Sequence, residues 1–172
     1  MKVQPQSSAG DYPDLPKIYK GFFPFKIATP SFIYPDQYLL NAQKLSPFMD
    51  EIQLLFLEGK PLEGLPAGAL IDQLASIGKE SGLTYNIHLP IDIYPGSRGR
   101  QKRMQAVQIV GNIIDLCTPL KPTSYTLHVP MDEETPDQHA IDLWQQAAKA
   151  SISELLSSGL SPDVLAVETL HY

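Results

Sequence analysis

The sequence lacks the features that mark several large classes of protein. It has one cysteine in 172 residues, Cys117, so an intramolecular disulfide is excluded. No apolar run approaches the roughly 20 residues that a membrane-spanning helix needs. The net charge of −6 gives no reason to expect a general affinity for nucleic acids or for membranes. The N-terminal residues lack the continuous apolar segment of a secretory signal, and we therefore expect a cytoplasmic protein.

Several catalytic signatures are absent as well. The sequence contains no P-loop, no glycine-rich dinucleotide fingerprint, no nucleophile elbow and no pair of CxxC motifs. The hydrophobic fraction of 43% and the charged fraction of 19% are ordinary for a globular protein. The length is sufficient for one domain with a substantial core. Any function must therefore come from side chains that the fold brings together.

One short segment occurs twice. The first copy is Tyr85–Asp92, YNIHLPID, and the second is Tyr125–Asp132, YTLHVPMD. Both end in His-x-Pro-x-Asp, and the two histidines, His88 and His128, lie 40 residues apart, the length of one strand-plus-helix unit. Because side chains alternate along a strand, the tyrosine and the apolar residues share one face and the histidine lies on the other.

The hydrophobic pattern predicts five strands that alternate with four helices. The strands are expected at residues 25–29, 52–57, 85–89, 125–129 and 164–169. Residues 1–22 are polar and rich in proline, and we predict an N-terminal arm there and a single domain over residues 23–172. Right-handed crossovers make such strands parallel and place their C-terminal ends on one side of the sheet. The sequence therefore predicts an α/β fold with a site at that side.

Four side chains at predicted strand ends suggest metal chemistry. Glu58, His88, His128 and Glu168 would meet at the C-terminal side of the sheet. Two imidazoles and a carboxylate suit zinc, manganese or iron, and repetition in register favours this interpretation over two satisfied core histidines. Asp92 and Asp132 each stand four residues beyond a histidine. They could orient the rings by accepting a hydrogen bond.

Four residues have open roles at this stage. Glu58 could be a ligand, a general base or a solvated residue that opens a loop. Arg98 and Arg100 precede a predicted helix and could hold a phosphate with the help of its N-terminus. A run of this kind is more often simply a solvated helix face. The role of His171 stays open.

Four stretches resemble a known family. They are residues 23–33 (FPFKIATPSFI), 50–58 (DEIQLLFLE), 83–90 (LTYNIHLP) and 125–128 (YTLH). They resemble the cobamide-remodelling phosphodiesterases, a family of the xylose isomerase-like TIM-barrel superfamily, which also contains AP endonucleases and sugar isomerases and epimerases. The resemblance implies a (β/α)8 barrel. Such a barrel takes about 250 residues, so this chain would contain only about its first five strands.

The resemblance also implies a reaction. The expected activity is hydrolysis of a phosphoester in the nucleotide loop of a cobamide, with zinc or manganese held by His88, His128 and Glu168. Glu58 and Glu168 would be the catalytic carboxylates, and Arg98 and Arg100 would contact the phosphate.

Two alternatives remain open. One is a sugar isomerase or epimerase that acts on a sugar-phosphate-like molecule and uses Glu168 for proton transfer. The other is a non-catalytic corrinoid-binding or assembly module, because the barrel is incomplete. In either case another chain could complete the barrel.

Overall fold

The computed structural model describes residues 12–56, 65–131 and 137–168. Five strands and four α-helices alternate along these residues, with short 3-10 turns at Thr118–Leu120 and Pro162–Val164. In chain order the elements are β1 Ala28–Pro30, α1 Tyr38–Leu45, β2 Glu51–Leu55, α2 Gly68–Ser81, β3 Thr84–His88, α3 Arg100–Cys117, β4 Tyr125–His128, α4 Gln138–Ser157 and β5 Leu165–Glu168.

The strands form one parallel sheet in the order β1-β2-β3-β4-β5. The predicted α/β fold is therefore confirmed. His88 pairs with Thr126, and His128 pairs with Glu168. Residues paired in this way point to the same side of a parallel sheet, so His88, His128 and Glu168 share one face. We call this the inner face, and we call the end where the strands finish the C-terminal rim.

The two faces of the sheet differ sharply in polarity. The outer face packs against the helices and is apolar, with Ile52, Leu54, Tyr85, Ile87, Tyr125 and Leu127 all buried. The inner face carries polar residues over much of its area, among them Glu51, Gln53, Thr84, Asn86 and Thr126. The hydrophobic core thus lies between the sheet and one layer of helices, and the inner face is left for polar chemistry.

The first strand begins later than predicted. Asp50 accepts the N–H of Ile27 through Oδ2 at 2.9 Å and the N–H of Gly21 through Oδ1 at 2.8 Å. Because a side chain takes the Ile27 donor, the strand starts at Ala28 and Phe25 is left outside it, 61% exposed. Sequence periodicity places Phe25 in the strand because Phe25 is apolar. The pattern contains no information about the Asp50 carboxylate, which competes for the Ile27 N–H.

Part of the predicted N-terminal arm packs on the domain. Tyr12, Leu15 and Tyr19 are partly buried against the core. The Lys20 ammonium donates to the carbonyls of Ser46 and Ser81, at the ends of α1 and α2, at 2.8 and 2.7 Å. Residues 1–11 lie outside the described part of the chain, and the boundary at residue 22 stays a prediction.

The last strand, β5, pairs with β4 and with no other strand among the described residues. Val167, on the outer face of β5, is 47% exposed, whereas Leu127 and Ile87 on the outer face of β4 and β3 are buried. None of the helices in the described ranges is long and apolar enough to cross a bilayer.

Candidate metal centre

Consecutive β/α units each deliver one side chain to the same point of the C-terminal rim. His88 ends β3, His128 ends β4 and Glu168 ends β5. The Nε2 of His128 lies 3.1 Å from the Nε2 of His88 and 3.2 Å from the Oε2 of Glu168. All three ligand atoms lie within 4.8 Å of one another. The fold therefore brings together the three residues for which the sequence predicts metal binding.

The proton positions are compatible with a cation between these atoms, and equally with a hydrogen bond between the two rings. The Nδ1 of His88 lies 2.9 Å from the carbonyl oxygen of Leu89, which can only accept, so Nδ1 carries the proton. The lone pair of His88 is then on Nε2 and points at His128. Ligand atoms bound about 2.0–2.2 Å from an ion lie about 3.0–3.5 Å from one another. Two of the three separations, 3.1 and 3.2 Å, fit that spacing, and the third pair lies within 4.8 Å, so these residues could hold a divalent cation after a small movement of the Glu168 side chain.

The site is closed on one side and open on the other. His128 is only 7% exposed, and its Nδ1 is buried without a hydrogen-bond partner among the described residues. The side chain of Glu168 is 54% exposed, because β5 is the last strand of the described sheet. The Glu168 carboxylate is therefore the most exposed of the three candidate ligands in the described part of the barrel.

The ring of His88 has a different orienting partner from the one predicted. The Leu89 carbonyl, and not Asp92, lies against the Nδ1 of His88. Asp92 is exposed in the loop after β3. We therefore assign the orientation of the His88 ring to the backbone of the next residue. Asp132, Glu58 and His171 lie outside the described residues, so their predicted or open roles stay as they were.

Arg98 and Arg100 are exposed on the loop and helix start that follow β3. Two further basic residues of the same segment, Lys102 and Arg103, contact the loop itself. Arg103 donates through Nη1 to the carbonyls of Ser97 and Arg98 at 2.9 and 3.2 Å. The Lys102 ammonium lies 3.5 Å from the centre of the Tyr94 ring. Phosphate binding by Arg98 and Arg100 stays a prediction.

The sequence interpretation missed a polar cluster at the opposite end of the inner face. Glu51 is 8% exposed and accepts from Thr84 Oγ1 at 2.8 Å, Asn86 Nδ2 at 2.9 Å and Thr123 Oγ1 at 2.6 Å. These donors come from β3 and from the residues before β4. The alternation of β2 could have placed Glu51 on the inner face, but it could not have supplied these partners.

Comparison with known proteins identifies the fold. No family model matches the chain, and no curated protein matches it. The solved structures that it resembles include a D-tagatose 3-epimerase-like protein, with 13% identity and a TM-score of 0.63 over 84% of this chain and 52% of that one. A 3-keto-D-glucoside 4-epimerase from E. coli gives 15% identity and a TM-score of 0.59, covering 83% of this chain and 54% of that one. An L-ribulose 3-epimerase gives 19% identity and a TM-score of 0.54, covering 83% of this chain and 48% of that one.

The fold is a partial TIM barrel. The chain spans about half the length of these solved structures, as predicted for the first strands of a larger barrel. The three neighbours have the xylose isomerase-like TIM-barrel fold that the sequence resemblance implied. At identities of 13–19% the likeness shows the fold alone. The finer assignment to cobamide-remodelling phosphodiesterases gains no support from these neighbours.

Proposed function

We propose that this partial barrel belongs to a metal-dependent epimerase or isomerase that acts on a sugar-like hydroxycarbonyl compound. The observation that carries the proposal is the meeting of His88 Nε2, His128 Nε2 and Glu168 Oε2 at the C-terminal rim. In TIM-barrel enzymes that rim is where active sites are built. Two sugar epimerases and one epimerase-like protein among the solved structures with this fold add support. The reaction and the substrates are those of the complete barrel, and both are part of this proposal.

Each residue has a distinct task in this proposal. Epimerisation next to a carbonyl removes a proton from carbon and returns it on the other face. The Glu168 carboxylate is placed to accept that proton on one face, and an acid from outside the described residues would return a proton on the other face. His88 and His128 hold the cation, which when bound supplies polarisation of the substrate carbonyl. The burial of His128 keeps water away from one side of the site.

A second candidate is the phosphodiesterase that the sequence resemblance implied, acting on a cobamide. The specific observation in its favour is that Arg98 and Arg100 are exposed on the segment that leaves the C-terminal rim after β3. Their guanidinium groups would offset the charge of a phosphoester. The same histidines and Glu168 would hold zinc or manganese, and Glu58 would act as a general base.

Metal analysis tests the site that both candidates share. We expect about one equivalent of zinc or manganese in the purified chain after chelator treatment and reloading, and its loss in His88→Ala and His128→Ala. His139→Ala is the matched control, because His139 is exposed near the start of α4 and is not one of the clustered ligands. Unchanged metal content in both ligand variants would refute the proposed centre.

Solvent isotope exchange separates the reactions. We expect the metal-loaded protein in D2O to introduce deuterium next to the carbonyl of a ketose such as D-tagatose or L-ribulose, as seen by NMR. Glu168→Gln should abolish the exchange, because an amide cannot accept the proton. Release of the lower ligand from a cobamide without exchange would favour the phosphodiesterase. Chelator-insensitive corrinoid binding without either reaction would favour a non-catalytic module.

A further inference from the structure

Trp144 lies between the two loops that follow the histidine strands. Its indole N–H donates to the carbonyl oxygen of Pro130 at 3.2 Å, two residues beyond His128. On its other side it contacts the loop that follows His88. A Cβ added to Gly96 in that loop would lie 2.3 Å from the indole Nε1 and 2.5 Å from Cδ1. One side chain of α4 thus holds both loops.

The glycine at this contact is required by the indole and not by the backbone. Gly96 is buried and is not among the glycines with positive φ, so its conformation is open to any residue. A methyl group would also lie 3.2 Å from Cγ1 of Val129, next to His128. The loop after β3 therefore packs directly against both the indole and the segment that carries the second histidine.

A second residue of α4 fixes the same loop. Ser151 is buried and donates through Oγ to the carbonyl of Pro95 at 2.7 Å, one residue before Gly96. The loop after β3 is thus bound to α4 at two adjacent positions. The loop after β4 is bound to it through Pro130. Both loops are therefore bound to the same helix, in addition to the pairing of the strands that carry them.

This matters because the candidate centre depends on a short distance. The two Nε2 atoms lie 3.1 Å apart, and a metal site tolerates about 0.5 Å of displacement before affinity falls. We infer that Trp144 is a positioning residue for the metal centre, which sets the spacing of His88 and His128 through the loops that follow them. The inference rests on the metal site put forward under Proposed function.

Cobalt binding provides the test, because bound Co2+ has a visible absorption spectrum that reports its ligand geometry. We expect Trp144→Phe to weaken Co2+ binding by about 10-fold and to change the spectrum. This is the low end of the roughly 10–100-fold loss seen when a direct partner of a metal ligand is removed, because Trp144 acts through the loops and not on the imidazoles themselves. Phenylalanine keeps part of the ring packing but has no N–H. Gly96→Ala should have the same effect by displacing the indole from the other side.

Tyr85→Phe is the matched control. It also removes one hydrogen bond from an aromatic side chain to a backbone carbonyl, that of Leu74 at 2.7 Å, but on the outer face. A loss of affinity in Trp144→Phe with none in Tyr85→Phe supports the inference. Equal Co2+ affinity and spectra in wild type and Trp144→Phe overturn it while leaving the proposed function intact.

Two other results are also decisive. If the wild-type chain binds no Co2+, the proposed metal centre fails and the inference fails with it. If Trp144→Phe does not fold, Trp144→Tyr decides by the same comparison, because it keeps a larger aromatic ring and likewise lacks the indole N–H that binds Pro130.

Discussion

Removing the Glu51 carboxylate should destabilise the fold. The size of the loss depends on which of its three hydrogen-bond donors can find another acceptor. Thr84 Oγ1 also lies 3.2 Å from the carbonyl of Asp50, and Thr123 Oγ1 lies 3.2 Å from that of Tyr85. These two hydroxyls can keep a partner if the carboxylate is removed. Asn86 is 7% exposed, and no other acceptor for its Nδ2 is found among the described residues. Only the Asn86 Nδ2 donor is left without an acceptor when the Glu51 carboxylate is removed.

We therefore predict that Glu51→Ala lowers the free energy of unfolding by about 3 kcal/mol. A stranded buried donor costs about 1–3 kcal/mol, and each hydroxyl that changes partner costs about 0.5 kcal/mol. Glu51→Gln keeps an acceptor for Asn86, and we expect it to cost about 1 kcal/mol. The ion pair with Lys26 adds little, because its atoms are 3.9 Å apart and Lys26 is 51% exposed.

Urea unfolding followed by the fluorescence of Trp144, the single tryptophan, measures these free energies. Lys26→Met is the control for the ion pair, and we expect its free energy of unfolding to stay within about 0.5 kcal/mol of wild type. Equal losses in Glu51→Ala and Glu51→Gln would refute the reasoning, because the charge and not the stranded donor would then control stability.

Two further predictions concern titratable groups. The backbone N–H of Ile27, with help from that of Gly21, holds the pKa of the Asp50 carboxyl below its ordinary value of 3.8. Its contribution to stability is present above that value and is lost as pH falls through the lower pKa of the folded state. Asp50→Asn should therefore be less stable at neutral pH and lose less stability on acidification, and an acid loss equal to that of wild type in urea titrations would contradict this. Burial raises the pKa of the Cys117 thiol to about 12. A thiol reagent at neutral pH should therefore label the protein only after unfolding. Labelling of the native protein as fast as the unfolded protein would show that Cys117 is accessible and refute this prediction.

The sequence predicted the main features of the fold because they follow from local rules. The two copies of the histidine motif have the right alternation for a strand covered on one side, and the structure places strands at Thr84–His88 and Tyr125–His128. Right-handed crossovers then require that the strand ends share a rim, whatever the detailed packing. The meeting of His88, His128 and Glu168 follows from these two rules together.

The contacts around those ligands could not be predicted in the same way. The Nδ1 of His88 could bind Asp92 or a backbone carbonyl, and the choice depends on a ring rotation and a loop path that spacing does not fix. The structure places the Leu89 carbonyl there. The bonds of Glu51 reach residues 33, 35 and 72 positions away, so they depend on the register between strands. No pattern within one strand carries that information.

The choice between epimerase and phosphodiesterase also lies beyond the fold. TIM barrels carry many unrelated reactions, because the chemistry depends on the loops and strand ends. The sequence resemblance rests on strand residues, which the two branches of one fold can share. The residues that would separate them include Glu58, which is outside the described part of the chain.

The two ends of the inner face depend on one another through strand register. β3 carries Thr84 and Asn86, which bind Glu51, and then His88 at the C-terminal rim. A slip of one residue between β2 and β3 would turn His88 towards the helices and would also remove Asn86 from Glu51. The buried bonds of Glu51 thus oppose the slip that would separate the candidate metal ligands. The polar cluster around Glu51 therefore supports the geometry of the candidate centre by specifying the pairing of β2 and β3.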